Sequence, residues 1–174
     1  GDGNPVSVQV AEPDGASGGF VLIAGVSESE PDEPADLAGA GDIANAEVSM
    51  SLVPVGPGSS VSVACGSSTA GSGYGGVQTI TCNFSGVPVN TYTVEVKISG
   101  DYYIGLGEDG LTVYDPSLGF TTGGGWFYWP GTGDKTNFGY TMKYGKKGTN
   151  VKGSLLLIRH LPDGQKYRIK SNAL

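Results

Sequence analysis

Apolar and polar residues alternate with a period of two along much of this chain, the repeat of a strand that buries one face. Residues 6–10 (VSVQV) alternate in this way. Residues 47–55 (EVSMSLVPV) place Val48, Met50 and Leu52 on one face until Pro54, which has no N–H to donate, ends the run or puts it at a sheet edge. Residues 91–98 (TYTVEVKI) are the clearest strand: Tyr92, Val94, Val96 and Ile98 point to a core, while Thr93, Glu95 and Lys97 point to water. Two runs, 19–25 (GFVLIAG) and 154–159 (SLLLIR), are apolar almost throughout, which suits strands covered on both faces. Further strands are predicted over 60–65, 77–84, 111–114, 138–144 and 167–170. Turns are signalled by Glu12-Pro-Asp-Gly15 and Leu161-Pro-Asp-Gly164, and the glycine-rich stretches 66–76 and 104–110 read as a loop and a turn. With 31 glycines, 10 prolines and 16% charged residues, a helical protein is excluded and an all-β fold is expected.

The stretch 114–139 (YDPSLGFTTGGGWFYWPGTGDKTNFG) divides the chain. Pro116 forces Asp115 toward extended geometry and closes a first unit. Three glycines, Gly123 to Gly125, then permit backbone angles closed to other residues, directly before Trp126-Phe-Tyr-Trp129. The expected organisation is N-terminal strands with an acidic linker (1–41), a β-sandwich (42–116) and a second β unit (117–174). The aromatic block reads first as the cap of a β core. As a ligand platform, Trp126, Tyr128 and Trp129 would stack on sugar rings of a surface polysaccharide.

Charge is uneven. Residues 1–96 carry eleven acids and no base, and residues 97–174 carry ten bases and six acids, so the two parts stand at −11 and +4. The acidic excess argues against a nucleic-acid partner, whose binding rests on neutralising phosphates. No apolar run approaches the length that spans a bilayer, and no basic flank leads into an apolar stretch at the N-terminus. Cys65 and Cys82 are expected to form a disulfide worth roughly 3 kcal/mol by restricting the unfolded chain, which implies an extracellular setting; the alternative is that both are reduced and buried. Nothing in the spacing points to catalysis, since the sole histidine, His160, reads as a surface strand residue. Calcium is the one cofactor considered, on Asp101, Glu108, Asp109 and Asp115 or on Asp32, Glu33 and Asp36, with a solvated acidic loop as the plain alternative. Asn83-Phe-Ser85 is an N-glycosylation sequon.

Residues 90–96 (NTYTVEV), 100–103 (GDYY) and 111–116 (LTVYDP) resemble an immunoglobulin-like β-sandwich of the cadherin or polycystic-kidney-disease kind, repeated in large secreted bacterial and archaeal proteins. The resemblance covers about 42–116 and makes Tyr92 the corner tyrosine, although the cysteine pair lacks the wide separation of antibody domains. Residues 115–126, 137–144 and 153–164 resemble a TGGGW-type β module that follows such repeats in secreted multidomain microbial proteins. That module continues past the position of Leu174, so the resemblance implies an incomplete second unit with an open apolar face and edge. N-terminal strands of the same chain, those of a neighbouring copy or a separate fragment would complete it. Strand donation through Val6, Val8, Val10, Phe20, Val21, Leu22 and Ile23 would join copies head to tail into a filament. The expected function is that of a self-associating extracellular structural or adhesion protein, pairing with itself or with neighbouring domains of a larger chain. The alternative is a carbohydrate-binding module of a larger secreted enzyme or adhesin.

Overall fold

The computed structural model describes residues 4, 7–28, 42–71, 76–100, 103–118, 120–144 and 151–171, and it is all-β. The strands are β1 (Ser7–Gln9), β2 (Phe20–Ser27), β3 (Glu47–Pro54), β4 (Val61–Ser62), β5 (Cys65–Ala70), β6 (Val77–Phe84), β7 (Asn90–Ser99), β8 (Gly105–Tyr114), β9 (Phe120–Tyr128), β10 (Lys135–Lys143), β11 (Lys152–His160) and β12 (Lys166–Ser171). They form three sheets, with orders β1-β8-β7-β3-β4, β2-β6-β5 and β12-β11-β10-β9. Among the described residues, only the β1–β8 ladder is parallel.

The first two sheets share one core. Leu22, Ile80, Cys82 and Phe84 of the three-stranded sheet meet Met50, Leu52, Tyr92, Val94, Leu111 and Val113 of the five-stranded sheet. Tyr92 is 1% exposed and donates its hydroxyl to the carbonyl of Pro88, 2.8 Å away, and burial pushes its pKa up to about 12. The N-terminal strands belong to this unit and not to the second one. Their inward residues Val8, Val10, Phe20 and Leu22 pack into the Tyr92 core, so pairing with β8 and β6 buries what those strands have to bury. Residues 19–25 are nevertheless covered on one side only: Val21 and Ile23 stand outward at 43% exposure. The acidic stretch 29–41 and Val6 lie outside the described residues.

The four-stranded sheet packs against the opposite side of β7 and β8. Thr93, on the face the sequence assigns to water, is fully buried together with Thr91 and Thr112 because that sheet covers them. Close approach depends on Gly139, where a Cβ would lie 2.8 Å from the Thr112 hydroxyl and 3.4 Å from the Thr91 methyl. Leu156 and Ile158 of β11 form an apolar patch with Val55 at the same contact.

Three glycine-rich stretches form strands where the sequence suggests loops, turns or free backbone, residues 66–70 among them as part of β5. In β8, a Cβ at Gly105 would meet Ile98 Cδ1 at 2.8 Å and one at Gly107 would meet Val96 Cβ at 3.4 Å, so the glycines make room for side chains of β7. In β9, Gly123 to Gly125 have no positive φ. Their role is space: the Tyr140 ring lies over Gly123, 2.7 Å from where a Cβ would be, and the Phe138 ring lies over Gly125 at 3.5 Å. The predicted turns are present, Gly15 N–H bonding to the Glu12 carbonyl and Gly164 N–H to the Leu161 carbonyl.

Cys65 and Cys82 are bonded, directly opposite one another on β5 and β6. Beyond Cys65, β5 is Gly-Ser-Ser-Thr-Ala and wholly exposed, so it buries little apolar surface and depends on its ladder and this bond. Replacing both cysteines by Ala is expected to cost roughly 3 kcal/mol and to raise amide exchange in β5 first; uniform protection across β5 and β6 in the variant would contradict that dependence. Gly139→Ala is expected to destabilise by about 1–3 kcal/mol in urea unfolding by wedging the layers apart, and a variant as stable as the parent would show that the layers do not bear on each other there.

Candidate interaction surface

Side-chain parity gives the second sheet two unlike faces. On β10, Asn137, Gly139 and Thr141 point to β7 and β8, so Thr136, Phe138, Tyr140 and Met142 point away. The registers with β9, β11 and β12 extend this outer face to Phe127, Gly125 and Gly123, to Leu155, Leu157 and Arg159, and to Tyr167 and Ile169. Inner Leu156 and Ile158 are fully buried, whereas Leu155 and Leu157 on the outer face are half-buried and Tyr167 and Ile169 are exposed. The basic residues Lys135, Lys143, Lys152, Lys166, Arg168 and Lys170 all have inner-face parity. Arg159 is the one basic side chain of the described outer face, where Asp134, just before β10, pairs with it.

Arg159 is itself neutralised. Its Nε and Nη2 donate to Asp134 Oδ2 at 2.8 and 2.6 Å, Nη2 also donates to the Thr132 hydroxyl at 3.0 Å, and its guanidinium lies 4.8 Å from the Trp129 ring centroid. The Thr132 hydroxyl and Arg159 hold the Asp134 carboxyl below the usual range, against the opposing effect of burial. This cluster fixes the β9–β10 turn, where Gly131 and Gly133 have positive φ and Gly133 N–H bonds to the Trp129 carbonyl. The proposed sugar platform is thereby divided. Trp126 and Tyr128 project together with inner-face parity, largely exposed, with ring centroids 5.3 Å apart and planes at 73°. Trp129 follows the outer parity, stacks 6.1 Å from Phe127 and is engaged by Arg159.

The calcium candidates are put to other uses. Glu108 lies buried between the two sheets, its Oε2 2.9 Å from Arg168 Nε and 3.9 Å from Lys166 Nζ. The Asp109 carboxylate accepts from Asn137 Nδ2 and from the Gly110 N–H. Asp115 accepts from the Ser117 hydroxyl and N–H at 2.6 and 2.8 Å through Oδ1, and from the Asp14 N–H at 2.6 Å through Oδ2. Asp101, Asp32, Glu33 and Asp36 fall outside the described residues. Among the described residues, no group of three His, Cys, Asp or Glu is placed to hold a metal ion.

His160 is half-buried rather than a surface residue. It shares inner parity with Ile158, and its Nε2 is buried without a partner among the described residues. Its pKa is lowered first by burial and then by Lys166 and Lys135, with Asp109 and Glu108 opposing. Asn83 is exposed on β6 opposite Val21. Between β2 and β8 the sandwich opens into a cavity of about 380 Å³ floored by Leu22, Met50, Val94, Val96 and Ile98. At its mouth the Asn4 carboxamide pairs with both the N–H and the carbonyl of Ile23, at 2.7 Å each, capping the free edge of β2.

No protein-family model and no curated protein matches this chain. No helix among the described residues is long and apolar enough to cross a membrane.

Asp115 gives a pH prediction. Ser117, through its hydroxyl and then its N–H, and the Asp14 N–H hold the carboxyl below its ordinary value, with Lys143 adding a smaller pull and burial opposing. A depressed carboxyl stabilises the fold above its unfolded value, and that contribution is lost as pH falls through the folded value. Asp115→Asn is expected to lower the melting temperature at neutral pH, with the gap to the parent narrowing below about pH 4; a gap that does not change with pH would remove the carboxylate charge as its source.

Proposed function

We propose that this chain is a non-catalytic structural module of an extracellular protein, which holds its place in an assembly by burying the outer face of its second sheet. The observation that carries this reading is the continuity of that face: Phe127, Phe138, Tyr140, Leu155, Leu157 and Ile169 form one apolar surface across four strands. Contiguous apolar surface of this kind on a protein marks a contact with another macromolecule. The disulfide supports an oxidising compartment. Strand orders β2-β6-β5 and β3-β7-β8, together with the Tyr92 hydroxyl bond, support reading the first unit as immunoglobulin-like. Filament growth by donation of residues 7–27 is no part of this proposal, because β1 and β2 already lie in ladders with β8 and β6.

The exposed pair Trp126 and Tyr128 favours a second reading, a carbohydrate-binding module in which these two rings stack on a polysaccharide. Binding of anilinonaphthalene sulfonate to the dilute chain separates the two. An apolar assembly face predicts that Leu157→Lys lowers dye binding with little change in melting temperature, and that Trp126→Ala leaves it nearly intact. A Leu157→Lys variant that binds dye like the parent would sink the first reading, and loss of retention on immobilised polysaccharide in Trp126→Ala alone would establish the second.

A further inference from the structure

We infer that the occupant of this face is a second copy of the same chain, paired sheet against sheet about a twofold axis. The inference rests on reading the face as an assembly surface. A twofold contact brings each patch against itself, so any uncompensated charge on it meets its own like. The chain carries a net charge of −7, and copies repel one another over most of their surface. Among the described residues the charged groups on the outer face are Arg159 and Asp134, which neutralise each other at 2.6 Å. The face is therefore electrostatically compatible with itself.

Shape and size agree. The Tyr140 and Phe138 rings lie down over Gly123 and Gly125, so the β9 side of the face is filled by flat rings and carries no protruding side chain at those positions. β9, β10 and β11 each run nine residues. Three strands roughly 30 Å long and the six-residue β12, roughly 20 Å long, about 4.8 Å apart, present about 530 Å² in plan, and sheets stacked face to face lie about 10 Å apart. Two copies would bury about 1,060 Å² before side-chain relief is added, which reaches the threshold of about 1,000 Å² for a specific contact. The run Leu155-Leu-Leu-Ile158 supplies the pattern for this: Leu156 and Ile158 fill the inner contact, and Leu155 and Leu157 have the same chemistry turned to the open side.

Light scattering coupled to size exclusion, from low micromolar to submillimolar chain, tests the pairing. The mass is expected to rise from 17.7 kDa to twice that value. Leu157→Lys and Ile169→Lys should hold it at the single-chain mass throughout, and Leu106→Lys, which lies in the first unit, should leave the rise unchanged. Ile169 is 54% exposed on an edge strand, so its variant remains informative if Leu157→Lys fails to fold. A parent that stays at 17.7 kDa at the highest concentration, or a dimer that survives both lysine variants, overturns the inference. The dye separates the two levels of argument: a monomer that binds it through Leu157 removes only the second copy, and a monomer that binds none removes the assembly surface as well.

Discussion

The architecture depends on β7 and β8 being buried on both faces. Toward the sandwich they present Tyr92, Val94, Leu111 and Val113, an ordinary apolar contact. Toward the second sheet they present Thr91, Thr93 and Thr112, which are also fully buried. The hydroxyls of these threonines have no partner among the described residues, and each such group costs about 1–3 kcal/mol. That is comparable to what burying one Leu or Ile side chain contributes, about 1.5–3 kcal/mol. The contact between the layers is therefore not a second hydrophobic core. Small residues allow it, Gly139 above all, and Leu156 and Ile158 anchor it.

Electrostatics fixes how the layers lie. Within the second part of the chain, β12 brings Arg168 and Lys166 to Glu108 between the layers. A carboxylate as buried as Glu108 destabilises a fold unless cations accompany it, so this pairing constrains β12 more than an exposed ion pair would. Lys166 adds a second constraint by donating to the Leu106 carbonyl at 2.9 Å on the edge of β8. Asp115 works at the other end of the same strand, tying the turn at Asp14 to the exit of β8.

The strands with clean alternation, β3 and β7, are legible because their period of two is set by local pattern alone. So are the turns at Glu12 and Leu161 and the pairing of Cys65 with Cys82. The first half of β8 and all of β9 are not, because their glycines answer to side chains on the neighbouring strand: Ile98 and Val96 above Gly105 and Gly107, Tyr140 and Phe138 above Gly123 and Gly125. Local composition makes such stretches look like turns. The burial of Thr91 and Thr93 was hidden for a similar reason, since a threonine face reads as wet unless a second layer is known to cover it. The sugar platform could have been questioned from parity alone, because Trp126 and Tyr128 differ by two positions while Trp129 falls on the other face of the strand.

Parity also organises the second sheet. A chain indifferent to its outer face would scatter lysines over both sides of four strands, as solvated faces do. Here the six other lysines and arginines of the described strands share the inner parity, Lys166 and Arg168 among them reaching Glu108, and the outer parity is given to Phe127, Phe138, Tyr140, Met142, Leu155 and Leu157. Arg159, the exception, is bound by Asp134 and laid over Trp129. Removing charge from one face of a sheet while keeping it on the other lowers the cost of covering that face with a second apolar layer and raises the cost of leaving it in water. The glycines of β9 act in the same direction, since rings that lie flat over them give the face no side chain that an opposing sheet would have to displace.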